Sequence, residues 1–298
     1  MKFNLRLSIP WMGLLLAGFW PWAGMGETGA REVPLADNLV CTVVPGQISI
    51  PAGSPLLVEL KVENRGKALV LLEQPLGELY GTAIVQIMRP GESHFDEVRT
   101  SYTGRKHVAG YRGVINPGEH VVAHTLLFAD SGGALVFGAP GRYELRARLR
   151  AGSVQPTSFP VVIDVQESDP SVEKALNSVR ADWTHVSLHE TLHAKRLARI
   201  RGALGHLAPF EHCLAYIEGL SELTFGGKGA HARGVQKLEG LRTPAELQWN
   251  NLVTGVLAIH CARTGDLEGA KELLRQSPMR SRLTDQARQI LKNSSGAE

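Results

Sequence analysis

The sequence of 298 residues has few of the residue patterns that mark the common classes of enzyme. It contains only three cysteines and no CxxC pair, which excludes a disulfide scaffold and a cysteine-based zinc site. Cys213 and Cys261 are the two candidates for a single bridge. The sequence has no GxSxG elbow, no Cys–His pair at family spacing and no dinucleotide-binding fingerprint. The net charge of +3 is not gathered into Lys/Arg clusters with aromatic residues between them, so no nucleic-acid partner is predicted.

Long hydrophobic runs are also missing after the N-terminus. At the N-terminus itself, Lys2 and Arg6 precede a largely apolar run from Leu7 to Ala23, and small residues follow it. This order is typical of a secretory signal peptide, predicted here over residues 1–26. Because the run is short for a membrane span, we expect a periplasmic or secreted bacterial protein without stable membrane insertion after signal cleavage. The alternative is that this segment is not cleaved and anchors the protein in the membrane.

Residues 32–167 show the period of two that is typical of β-strands. In one such stretch Val58, Leu60 and Val62 alternate with charged residues, which predicts a strand with one buried and one solvated face. About seven or eight short strands with Pro-Gly turns between them predict a β-sandwich. The arginines of one strand, Arg146, Arg148 and Arg150, are interpreted as a solvated face or, alternatively, as a surface for an anionic partner.

Two turn-and-strand segments of this half carry a family resemblance. Residues 137–145, Phe-Gly-Ala-Pro-Gly-Arg-Tyr-Glu-Leu, and residues 115–119, Ile-Asn-Pro-Gly-Glu, resemble the late strands of bacterial immunoglobulin-like domains, including the BsuPI-type proteinase-inhibitor fold. The resemblance implies an immunoglobulin-like antiparallel β-sandwich but names no ligand. The long loop from Pro90 to Asn116 is a candidate binding loop on such a sandwich.

Residues 168–291 have the helical period instead, in segments of helix-hairpin length. A stretch with Ala258, Gly265-Asp266, Ala270, Leu274 and Pro278 resembles one tetratricopeptide-type repeat, in which small residues lie where two helices cross. The expected fold class is therefore α+β with two separate domains, the sandwich followed by an all-α domain of helical hairpins. A disordered tail is expected over residues 292–298.

The one pattern spaced for obvious chemistry is His189-Glu190-Thr191-Leu192-His193. It resembles the zincin metallopeptidase signature. The resemblance implies that His189 and His193 bind zinc and that Glu190 acts as the general base on a metal-bound water. A third ligand would come from the following helix, where Glu218 and Glu222 are the candidates.

The alternative interpretation of this pattern is structural. Asp169-Pro170 predicts a helix start, and neither glycine nor proline follows before Gly202, so one long helix is expected. On that helix Glu190 and His193 are three residues apart and would pair with each other at a partly covered helix interface.

These patterns lead to two hypotheses about function. The first is an exported binding or adaptor protein that recognises another protein or a cell-surface polymer and needs no cofactor. The second is a zinc-dependent metallohydrolase of the peptidase class that uses the His189–His193 motif.

Overall fold

The computed structural model describes residues 38–72, 74–77, 80–99, 113–150, 155–183, 194–243, 246–277 and 279–295. The chain divides into two units, Met1–Val33 and Pro34–Glu298, and every described residue belongs to the second. Two predicted segments, the signal peptide and the motif at residues 189–193, lie outside the described ranges.

The N-terminal half of the described chain is built of β-strands, as the period of two predicts. The strands are β1 (Leu39–Pro45), β2 (Ser49–Pro51), β3 (Leu56–Asn64), β4 (Val70–Leu72), β5 (Ala83–Met88), β6 (Asp96–Glu97), β7 (Gly113–Ile115), β8 (His120–Leu127), β9 (Gly141–Leu149) and β10 (Val161–Gln166).

The strands form three sheets with the orders β1-β3-β8, β2-β10-β9-β5-β6 and β4-β7. All pairs of neighbouring strands are antiparallel except β2 and β10, which run parallel with Ser49 opposite Asp164. The prediction of a purely antiparallel arrangement is therefore wrong at this edge. The two larger sheets contribute to one hydrophobic core, which includes Val58, Leu60, Ile87, Leu145 and Ile163.

The C-terminal half is helical, which confirms an α+β composition. The helices are α1 (Pro170–Ser178), α2 (Arg180–Trp183), α3 (Ala194–Leu204), α4 (Glu211–Phe225), α5 (Lys228–Glu239), α6 (Leu247–Thr264), α7 (Leu267–Gln276) and α8 (Arg282–Ser295), with a 3-10 helix at Ala208–Phe210 before α4. None of the described helices is long and apolar enough to cross a membrane. Helix α8 continues to Ser295, past the predicted start of the tail at residue 292.

The expectation of one helix from Pro170 to Gly202 is wrong. Helix α1 ends at Ser178, and Asp182 of α2 forms an ion pair with Arg199 of α3 at 2.7 Å. Residues 17 positions apart in a straight helix are about 25 Å apart, because each residue adds about 1.5 Å. Helices α2 and α3 are therefore not parts of one straight helix.

Helices cover the outer face of the β1-β3-β8 sheet. Leu57 of β3, Leu126 of β8 and Phe128 belong to the same hydrophobic core as the buried residues of α1, α3, α4 and α6. Strand β3 is consequently buried on both faces, and the predicted solvated face is wrong at Glu59, which is 4% exposed. Because both halves share this core within one compact unit, the expected division into two separate domains is not confirmed.

Arg280, just before α8, contacts the edge strand β8 with its backbone and strand β7 with its side chain. The backbone N–H of Val122 donates to the carbonyl of Arg280 at 2.8 Å, and Arg280 Nη1 donates to the carbonyl of Val114 at 2.6 Å. An exposed strand edge invites pairing with other chains, so this contact protects β8.

Helices α6 and α7 form a tight hairpin at the repeat-like stretch. Gly265 ends α6 with φ +87°, a left-handed conformation that favours glycine, and Asp266 caps α7 by accepting from the N–H of Gly269 at 2.9 Å. Ala258 and Ala270 are fully buried, as expected for small residues between paired helices. All three cysteines, Cys41 included, are free, so Cys213 and Cys261 are not bridged.

Phe128 offers a test of the shared core. Its ring packs edge-on against Phe210 at 5.8 Å between centroids, and it therefore joins the sheet to the helices. We expect Phe128→Ala to lower the free energy of unfolding by about 3–5 kcal/mol while chemical denaturation keeps a single transition. The matched control is Phe159→Ala, because Phe159 is 93% exposed. Two transitions, only one of which shifts, would show that the halves unfold independently.

Candidate functional site

The His189–His193 motif, with Glu190, lies in residues 184–193, outside the described part of the chain. The segments that flank it are held together by Asp182, whose side chain is largely buried. Its carboxylate accepts two hydrogen bonds from Arg199, at 2.7 and 2.8 Å, and one from Arg196 at 3.1 Å. The hydrogen bonds from Arg199 are the main reason that the pKa of Asp182 is lowered. The described helices on either side of the motif, α2 and α3, are thus held close to each other.

Glu218 and Glu222, the candidate third zinc ligands, both bind a lysine. Lys237 Nζ donates to Glu218 Oε2 at 2.8 Å and to Glu222 Oε1 at 3.0 Å, and Arg201 lies 3.3 Å from Glu218. Burial acts to lower the pKa of Lys237, but the two carboxylates outweigh it and raise the pKa. Glu218 is only 8% exposed. Packing of α5 against α4 buries it.

No group of three His, Cys, Asp or Glu side chains that could hold a metal ion occurs among the described residues. His189 and His193 are not among them, so their assignment as zinc ligands stays a prediction.

The arginine row of β9 is paired within its own sheet. Arg148 forms an ion pair with Glu97 of β6, and Arg150 Nη2 lies 3.4 Å from the same carboxylate. The guanidinium of Arg146 stacks over the ring of Phe95 at 3.9 Å. This agrees with the interpretation of the row as a partly solvated strand face rather than a site for an anion.

A buried polar cluster lies where the sheet meets α6, and the sequence analysis missed it. Glu59 Oε2 accepts from Asn251 Nδ2 at 3.3 Å, and His124 Nε2 of β8 lies 3.4 Å from the same oxygen. The Nε2 atom makes no hydrogen bond of good geometry, so it is a close neighbour of the Glu59 carboxylate rather than a well-aligned hydrogen-bond donor to it. Burial acts to raise the pKa of Glu59, but His124 and Asn251 outweigh it and the pKa is lowered. An alternating strand pattern and an asparagine in an apolar helix were the only signals of this cluster.

A groove of about 590 Å³ lies between one end of the β-rich half and α1. Small residues form much of its wall, and charged or amide side chains of the α1 region lie at its rim. The small residues are Ala52, Gly53, Gly133, Ala134 and Gly138, and the polar ones are Glu167, Ser168, Glu173, Asn177 and Arg180. Glu167, Glu173, Asn177 and Arg180 are exposed, so they can reach a ligand in the groove.

The cluster around Glu59 predicts a pH dependence of stability. Because the pKa of this carboxyl is lower in the folded than in the unfolded chain, its contribution is complete above the unfolded pKa of about 4.3 and is lost as the pH falls through the folded pKa. We expect Glu59→Gln to cost about 3 kcal/mol of unfolding free energy at neutral pH and less in acid, as measured by urea denaturation at several pH values. The control is Glu144→Gln on β9. A cost that stays constant with pH would contradict this role.

The zinc hypothesis has a direct test in the metal content of the purified protein. If His189 and His193 are ligands, we expect about one zinc per chain by elemental analysis, loss of the metal in His193→Leu, and retention of the metal without hydrolytic activity in Glu190→Gln. Because Lys237 holds Glu218 and Glu222, we expect Glu218→Gln and Glu222→Gln to keep the metal. A metal-free wild-type protein would rule the hypothesis out and favour the structural pair.

No protein-family model matches this chain, and no curated protein matches it. Solved structures with some similarity include Spo0M, a sporulation control protein from Bacillus subtilis, at 13% identity over 48% of this chain and 55% of that chain, with a TM-score of 0.29. The CARDB domain of a Pyrococcus furiosus protein matches at 11% identity over 44% of this chain and 94% of that chain, with a TM-score of 0.24. A PapD-like domain of human CEP192 matches at 12% identity over 50% and 100%, with a TM-score of 0.23. The chain spans about half the length of Spo0M, and these similarities are too low to assign a family or a function.

Proposed function

We propose that this chain is an exported binding protein and that the groove between the sandwich and α1 binds a peptide segment, either of another protein or of a peptide-bearing cell-surface polymer. The observation that carries the proposal is the groove itself. Its volume of about 590 Å³ lies in the range of about 300–1,000 Å³ that is usual for ligand sites.

The small residues of the wall favour a ligand with an exposed backbone. Glycine and alanine leave the wall's own backbone close to the surface, so the main chain of a ligand can approach it. Leu135 and Leu176 add an apolar contact at the same place. This combination suits an extended peptide better than a bulky ring system.

The charges at the rim favour a ligand that carries both signs. Glu167 and Glu173 can pair with an amino group or a basic side chain, and Arg180 can pair with a carboxylate. A peptide offers both kinds of group along one chain. The rim therefore supplies polarity and orientation, while the small residues supply close contact.

Filling the groove provides the test. Ala134 is exposed in the groove, whereas Gly53 and Gly133 have positive φ values and would be strained by any side chain. We expect Ala134→Trp to reduce binding to an array of extended peptides and to insoluble cell-wall polymer by about tenfold or more, because the indole occupies the ligand's place.

The matched control is Ala232→Trp, an equal change at an exposed position of α5 that does not line the groove. It should leave the binding curves unchanged. Arg180→Glu should weaken binding of peptides with a free carboxylate more than binding of their amides. Equal binding by wild type and Ala134→Trp would overturn the assignment of the groove.

A further inference from the structure

A second, much smaller cavity lies between β8 and the helices α4, α6 and α8, apart from the groove. Its volume is about 70 Å³. The wall combines two tyrosines, a histidine and an arginine with leucine side chains, and it includes Tyr80, His124, Tyr216, Leu252, Arg282 and Leu283. A cavity of this size has room for only a few non-hydrogen atoms, on the order of four.

Arg282 is the charged group that distinguishes this cavity. Its guanidinium carbon lies 5.1 Å from the centroid of the Tyr80 ring, and no carboxylate in the described part of the chain forms an ion pair with it. The neighbouring arginines differ, since Arg280 and Arg288 both pair with Asp285. Arg282 also begins α8, where the helix dipole adds positive potential.

The other ionisable groups near the cavity have partners within the protein or are neutral. His124 forms part of the wall, and Glu59 behind it binds both His124 and Asn251. The Glu59 carboxylate is thus engaged on the side of β3 and α6. Burial raises the pKa of Tyr216, so its hydroxyl stays neutral at physiological pH. The wall therefore holds one cation without a counter-ion among the described residues.

The backbone around Arg282 is fixed in advance of any ligand. The carbonyl of Arg280 accepts from the N–H of Val122 at 2.8 Å. Ser281 and Thr284 cap the first turn of α8 reciprocally, with the N–H of Ser281 donating to Thr284 Oγ1 at 2.8 Å and the N–H of Thr284 donating to Ser281 Oγ at 3.3 Å. Such preorganisation lowers the entropy lost on binding.

We infer that this cavity binds a small carboxylate group, with Arg282 holding the carboxylate and the leucine and tyrosine side chains holding a short alkyl part. A guanidinium matches a carboxylate through two parallel hydrogen bonds. The volume excludes sugars and nucleotides. The same chemistry is offered by a free short-chain acid and by the carboxylate end of a longer chain, so both sources are probed.

The test is a titration of the full chain with acetate, propionate and acetyl-alanine, followed by two-dimensional amide NMR, with sodium chloride and phosphate as reference salts. We expect saturable shifts of the Arg282 and Leu283 amides with propionate at millimolar concentrations. Acetyl-alanine distinguishes the two sources: binding as tight as that of propionate assigns the carboxylate end of a longer chain, and weaker binding assigns a free acid.

Two arginine variants on one helix decide the role of the guanidinium. Arg282→Met should weaken propionate binding by about tenfold or more, as expected for loss of a charge-assisted pair. Arg288→Met should leave binding unchanged, because Arg288 is exposed and pairs with Asp285. Thermal unfolding in chloride confirms that each variant is folded. Absence of saturable shifts, equal effects of the two variants, or equal shifts with chloride and phosphate would overturn the inference.

Discussion

A carboxylate buried between a sheet and a helix is the constraint on which this architecture depends. Glu59 lies on a strand that is covered on both faces, and an ionised carboxylate in such a place is costly unless other groups compensate it. His124 from the neighbouring strand and Asn251 from α6 provide this compensation. The cluster therefore requires β3, β8 and α6 to keep one relative arrangement, and it couples the β-rich half to the helices.

Both candidate binding sites follow from that coupling. The groove needs the end of the β-rich half and α1 side by side, and the small cavity needs β8 opposite α4, α6 and α8. Each concavity is lined by residues of both the β-rich half and the helical half. The contact of Arg280 with β8 also couples the two halves, because it holds the start of α8 at the strand edge. If the two proposed sites bind ligands, recognition in this chain is a property of the junction between its halves.

Local patterns predicted the strands and most helices because period and turn residues act over a few positions. The alternation around Val58 and the hairpin at Gly265 are of this kind. The burial of Glu59 and the break after Ser178 were not predictable in this way. No glycine or proline stands between Ser178 and Asp182 to mark the break. The arrangement of α2 against α3 is stabilised by the ion pair of Asp182 with Arg199, a residue far away in sequence. Tertiary contacts overrode a favourable local pattern.

The same distinction applies to the charged residues that looked functional in the sequence. Glu218 and Glu222 were candidates because a third zinc ligand would come from the helix that follows the motif, and the Arg146 row because it recurs on one strand face. In the folded chain the glutamates bind Lys237, and two of the arginines bind Glu97. A group whose charge is already compensated gains little free energy by binding a ligand. Arg282 lacked any such pattern, yet it lines a cavity with no carboxylate partner in the described chain. The proposed site at Arg282 therefore rests on missing compensation and not on clustering of charges.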